Sequence, residues 1–143
     1  MSITHFSGPV AVGSGSYKSL TGAYTVTTKD NGVTFGLNGA TDGALITLPS
    51  VAVMGAGFRF RVRVEAAFAT TDWTITATAA IIVGTVNELE TDTASDGPST
   101  TGATTVTLVA TAETVGDVYD FECNGTNLYL VGQCVADGAV TFS

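Results

Sequence analysis

A chain of 143 residues has the length of one domain, and such a domain can bury roughly 70% of its unfolded surface, so it needs no disulfide or metal staple to fold. With 45% apolar and 13% charged residues it is not a solvated disordered chain, and 17 Gly beside a Thr-rich polar fraction oppose helix and favour strand. A formal charge of −8 excludes a nucleic-acid surface, which needs Lys and Arg to neutralise phosphates.

The first 16 residues mix apolar anchors (Ile3, Phe6, Pro9, Val10, Val12) with Gly and Ser. They lack a basic n-region and a long apolar h-region, so they do not read as a secretory signal. No stretch of the chain is apolar for long enough to span a bilayer. The expectation is synthesis in a cytoplasm and no membrane partner. Pro9 and the glycines oppose helix. Residues 1–16 therefore read either as an extended arm that docks on a neighbour or partner, or as a first strand folded back on its own sheet. Residues 17–143 read as one β-domain.

Strand and turn signals then alternate to the end of the chain. Tyr24-Thr25-Val26-Thr27 and Val33-Thr34-Phe35-Gly36-Leu37 flank Lys29-Asp30-Asn31-Gly32, and Asn-Gly between alternating runs predicts a hairpin with a type I′ turn. Ala44-Leu45-Ile46-Thr47-Leu48 is a strand stopped by Pro49. Residues 50–57 have room for one helical turn, but Gly55 and Gly57 argue for a loop. Residues 58–65 alternate without a break. Trp73-Thr74-Ile75-Thr76-Ala77-Thr78 alternates again, which places Trp73 in the core with Ile75 and Ala77. Ala80-Ile81-Ile82-Val83 reads as a short buried strand. Residues 89–101 form the longest irregular segment, and loops of that length are often functional. Residues 104–111, 118–123, 128–134 and 139–142 complete a set of about nine or ten short strands, spaced as in a sandwich or barrel, with little or no helix.

On the strand Phe58-Arg59-Phe60-Arg61-Val62-Arg63-Val64-Glu65, side chains alternate faces. Phe58, Phe60, Val62 and Val64 point into the core; Arg59, Arg61 and Arg63 point outward. Three of the five basic residues thus form one ladder. It either meets an acidic partner or, the favoured reading in so acidic a chain, pairs internally with carboxylates of neighbouring strands. Glu88 and Glu90 share a parity and could supply them.

Cys123 and Cys134 flank a hairpin with the turn Asn124-Gly125-Thr126-Asn127. With Asn124 opposite Asn127, Cys123 faces Leu128, Phe121 faces Leu130 and Tyr119 faces Gly132. Both cysteines then share the core face, roughly 20 Å apart along the ladder. A disulfide needs Cα atoms within about 7 Å. They read as two reduced, buried thiols acting as small hydrophobes. Asn124-Gly125-Thr126 matches a glycosylation sequon, unused in a cytoplasmic product.

Catalytic signatures are missing. His5 is the one histidine and lies in the arm, so neither a Ser-His-Asp triad nor a His-based metal site is readily built. There is no phosphate-binding loop and no nucleophile elbow. The acidic positions Glu88, Glu90, Asp92 and Asp96 offer oxygen ligands for Ca²⁺, but without ordered spacing they read as a solvated loop. The expectation is a protein that binds surfaces, with no catalytic residues, no cofactor and no metal.

Three stretches carry a resemblance. They are the opening Ser-Ile-Thr-His-Phe-Ser-Gly-Pro-Val, the run Gly43-Ala44-Leu45-Ile46-Thr47-Leu48-Pro49, and Gly116-Asp117-Val118-Tyr119 with Cys123-Asn124-Gly125-Thr126-Asn127-Leu128-Tyr129-Leu130-Val131-Gly132. Together they resemble small structural proteins of tailed bacteriophages, where a related Gly-Asp … Asp-Gly-Thr-Asn-Trp-Tyr pattern forms a C-terminal hairpin. This chain has Asn124 where Asp is usual and Leu128 where Trp is usual. The resemblance spans most of the chain and rests on turn chemistry. It implies a jelly-roll-like β-sandwich and a capsid decoration, or cement, protein: a virion component, often a homotrimer, that grips the major capsid protein on the outer surface of the phage head. The implied alternatives are a head-fibre or tail-fibre module, or a carbohydrate-binding sandwich for receptor recognition. On the cement reading the arm residues Ile3, Phe6, Pro9 and Val10 make the partner contact, and Arg59, Arg61 and Arg63 are a further electrostatic contact.

Overall fold

The computed structural model describes residues 17–39, 42–89 and 97–143. In these residues twelve strands form two sheets: β1 (Tyr17–Leu20), β2 (Tyr24–Thr25), β3 (Val33–Leu37), β4 (Leu45–Thr47), β5 (Arg59–Val64), β6 (Trp73–Thr76), β7 (Ile82–Glu88), β8 (Ser99–Ala103), β9 (Thr105–Leu108), β10 (Val118–Cys123), β11 (Leu128–Cys134) and β12 (Val140–Phe142). The larger sheet has the order β1-β3-β5-β10-β11-β7-β8 and the smaller the order β12-β9-β6-β4-β2. The all-β sandwich expected from the strand spacing is present. β1 and β8 are the strands that reading lacked. β8, Ser-Thr-Thr-Gly-Ala, has no apolar alternation and sits at the rim of the sheet, where little burial is asked of it.

Up to β6 the chain changes sheet at every step, odd strands entering the larger sheet and even strands the smaller. Neighbours laid down this way run parallel, as β1 with β3, β3 with β5, β2 with β4 and β4 with β6 do. The strand between each parallel pair is its crossover, which parallel pairing always requires. The later half is mostly antiparallel, in β7–β8, β6–β9, β9–β12 and β5–β10–β11, with β7 and β11 parallel.

This winding overturns the hairpin expected at Asn31-Gly32. β2 lies in the smaller sheet and β3 in the larger, so the segment between them crosses the sandwich. Thr28–Asp30 form a 3-10 turn there, and Asn31 at φ −60°, ψ 124° followed by Gly32 at φ 81° has the dihedrals of a type II turn. Asn-Gly supplies the positive φ in either turn, so the dipeptide marks a reversal without naming the sheet that follows. Residues 50–57 do hold one helical turn, α1 (Val51–Met54), closed by the Gly55 N–H on the Val51 carbonyl at 2.8 Å and by φ 76° at Gly55.

The core lies between the sheets. Along β5 the burial alternates as the sequence requires, Phe60, Val62 and Val64 inward and the arginines outward. Phe60 stacks on Phe121 across the sheet, centroids 4.5 Å apart and planes 6° apart. Trp73, Ile75, Tyr119, Phe35 and Phe68 are all fully buried. The β10–β11 register has Cys123 opposite Leu128, Phe121 opposite Leu130 and Tyr119 opposite Gly132, as the turn predicted. Both cysteines are free and buried. Gly132 is required by packing: a Cβ there would lie 2.5 Å from the Tyr119 ring.

Candidate functional site

The outer face of the larger sheet gathers the most chemistry among the described residues. β5, β10 and β11 are adjacent and central in that sheet, so their outward side chains form three parallel columns. Register places Arg61 opposite Asp120 and Arg59 opposite Glu122; it places Val131 and Tyr129 beyond them, opposite the same two acids. The columns thus read basic, acidic, apolar.

Arg61 grips Asp120 with two bonds, Nε to Oδ1 at 2.6 Å and Nη2 to Oδ2 at 3.0 Å, the planar fork geometry that favours guanidinium–carboxylate pairs. The Asp120 carboxylate raises the Arg61 pKa further above its ordinary value. Arg59 donates one bond from Nη2 to Glu122 Oε1 at 2.8 Å. Opposite Arg63 stand Val118 and Gly36, and Arg63 has no ion-pair partner among the described residues. Internal pairing of the ladder therefore holds for Arg59 and Arg61. Their partners are Asp120 and Glu122 in place of Glu88. Glu88 instead accepts the Gly138 N–H at 3.1 Å, and Glu90 lies outside the described residues. The right partners had a signal: the hairpin register that sends Tyr119, Phe121 and Cys123 inward sends Asp120 and Glu122 outward, at the spacing of Arg59 and Arg61.

The columns line a shallow groove of about 470 Å³, together with Val33 and Thr34 of β3 and Phe60 of β5. Tyr129 and Val131 are 43% and 62% exposed in the middle of a sheet. The Tyr129 ring is steadied by Asn124 Nδ2, 3.4 Å from its hydroxyl, and Asn124 is itself fixed by accepting the Thr126 and Asn127 N–H groups.

A second polar group lies at the β1 rim of the same face. Glu65 accepts the Tyr17 hydroxyl and, at 2.6 Å, the Ser19 hydroxyl; the Ser19 and Tyr17 bonds lower its pKa, and the same contact raises that of Tyr17.

A third group is buried at the start of β10. Tyr119 donates to Glu113 at 2.7 Å, and Asp117 accepts the Thr114 N–H at 2.7 Å and the Val135 N–H at 3.1 Å. Burial pushes Glu113 up to about 9, the Tyr119 bond opposes this and Asp117 adds to it, so Glu113 is uncharged at neutral pH. Burial also pushes the Cys134 thiol up to about 12, with Glu113, Asp117 and Glu88 adding. A thiol so far from ionisation is a packing residue and not a nucleophile. Sequence reading gave Glu113 no role, since a lone acid between Ala112 and Thr114 carries no sign of burial.

Among the described residues no group of three or more His, Cys, Asp or Glu is placed to hold a metal ion, and no helix is long and apolar enough to cross a membrane. The arm residues Ile3, Phe6, Pro9 and Val10, with His5, and the acids Glu90, Asp92 and Asp96 lie outside the described residues. Comparison with protein-family models, with curated proteins and with solved structures finds no match.

Proposed function

We propose that this protein is a virion component that decorates the outer surface of a tailed-phage head, binding the major capsid protein and stiffening the shell. The observation that carries the reading is where the sandwich meets residues 1–16. Among the described residues β1 is the rim strand of the larger sheet, paired with β3. The described fold begins at that rim strand, with Tyr17, and the anchors Ile3, Phe6, Pro9 and Val10 precede it in the sequence. An attachment segment placed there reaches a neighbouring surface without disturbing the sandwich. Its apolar anchors supply contact area, offset by the conformational freedom lost on docking. Assembly as a homotrimer reinforces each weak contact through effective concentration. Arg63, the ladder arginine without an ion-pair partner among the described residues, is the ladder residue freest to meet an acidic shell.

The test uses heads prepared without the protein. Added back, it should bind them in many copies and raise the temperature at which they release DNA. Deleting residues 2–12 should leave the β-domain folded by circular dichroism and weaken head binding at least tenfold, about 1.4 kcal/mol. Full-length protein that does not bind heads contradicts the reading. A deletion that leaves binding intact shows that attachment lies elsewhere.

A further inference from the structure

We propose that the groove on the outer face of the larger sheet is a binding site for a neutral oligosaccharide, a function separate from attachment to a shell.

Charge comes first. The chain carries −8 overall, yet the groove holds two cations and two anions already paired with each other, Arg59 with Glu122 and Arg61 with Asp120. A phosphate or an anionic sugar would have to compete with a carboxylate for each guanidinium, and a cation with a guanidinium for each carboxylate. A neutral polyol does neither. Its hydroxyls both donate and accept, so they bond to the outward edges of both kinds of group while the pairs stay closed. Arg59 uses one nitrogen on one oxygen of Glu122, which leaves Glu122 Oε2 and the rest of the guanidinium fork outside that bond. Planar acceptors beside planar donors suit vicinal hydroxyls, which present two bonding groups at one spacing.

Shape and apolar contact agree. About 470 Å³ falls within the range of small-ligand sites, roughly 300–1,000 Å³. Sugars also present faces of C–H groups. Tyr129 and Val131 stand beside the acidic column to pack against such a face, and an aromatic ring with a polar tip suits a ligand that is apolar on one side and wet on the other.

Rigidity is the third argument. β5, β10 and β11 each have a strand on both sides, so the walls stand on the stiffest part of the sheet. A ligand making a few exposed hydrogen bonds gains little free energy and binds measurably only where ordering costs are already met.

The experiment applies the full-length protein to an array of neutral and anionic bacterial surface oligosaccharides, followed by calorimetric titration of each hit at low and high salt. The expected result is binding to neutral glycans that changes little with salt. Tyr129→Ala and Asp120→Asn should each weaken it at least tenfold while thermal unfolding stays close to the parent's. The variant lacking residues 2–12 should bind the same glycans as the parent, so this proposal and the shell-binding proposal fail separately. Three results would overturn it: no hit on the array, hits confined to anionic glycans with strong salt dependence, or hits indifferent to both substitutions. A protein whose oligomer dissociates on Tyr129→Ala, with no glycan bound, would assign the face to a second copy of the chain instead.

Discussion

Lys18–Asp30 and Arg61–Asp120 are the same chemistry in two settings. Asp30 is fully buried. It takes the Lys18 ammonium, the Thr27 N–H at 2.8 Å, the Thr27 hydroxyl at 3.1 Å and the Tyr24 hydroxyl at 3.2 Å. Those groups come from β1 in one sheet, β2 in the other and the crossing from β2 to β3, so one carboxylate fastens a step at which the chain changes sheet. Asp120 bonds only to its neighbour in the same sheet, with both side chains about half exposed at 51% and 44%. A buried ion is held by everything around it, and its loss is felt by all of that. An exposed pair is screened by water and contributes about 0–1 kcal/mol. The first pair belongs to the fold, while the second adds little to it.

The comparison can be broken at several points. The largest effect is expected beneath the arginines. Phe60→Ala should cost about 3–5 kcal/mol in urea denaturation, because β5 is held by its inner face. A loss under about 1 kcal/mol would mean that its outer face anchors it.

Asp30→Ala should cost about 3 kcal/mol, since it removes several hydrogen bonds to a charged group and orphans the Thr27 N–H. The acid limb should show the same residue. Burial pushes the Asp30 carboxyl up, but the Lys18 and Thr27 bonds outweigh this and hold it below the ordinary carboxylate range. Its contribution is therefore complete above the unfolded pKa, near 4, and is lost as pH falls through the lower folded value. Asp30→Ala should flatten that limb.

Glu113 has the opposite sign. Its folded pKa of about 9 lies above the unfolded value, so the unfolded chain sheds the proton first. Stability falls as pH rises from about 4.5 and stops falling near 9. Glu113→Gln keeps an acceptor for Tyr119 and removes the titration. It should gain about 2 kcal/mol at pH 6.5 relative to pH 5, measured as the change in denaturation midpoint against pH. A parallel pH profile for parent and variant would show that Glu113 ionises normally in the fold.

Hairpins were the part of the fold most legible in the sequence. The β10–β11 register follows from four turn residues and the alternation beside them, all local, and the same alternation assigned both faces of β5. The winding of the first half was not legible. Asn31-Gly32 announces a reversal, but whether Val33 pairs back on β2 or crosses to β5 depends on contacts far along the chain. Asp30 reads as a turn residue for the same reason: its burial comes from Lys18 and Tyr24, brought in by the winding. The arginine ladder was half legible. Its need for carboxylates followed from the charge balance, and their identity waited on which strand lies beside β5.

The central claim, that the outer-face ion pairs leave the fold to the core and are free to serve a ligand, is tested most directly by a double-mutant cycle. Arg61→Ser, Asp120→Ser and the double variant are unfolded in urea at low and high salt. The account predicts a coupling energy of about 0.2–1 kcal/mol that shrinks with salt. A coupling of about 2 kcal/mol or more, unchanged by salt, would contradict it and make the ladder part of what holds the sandwich together.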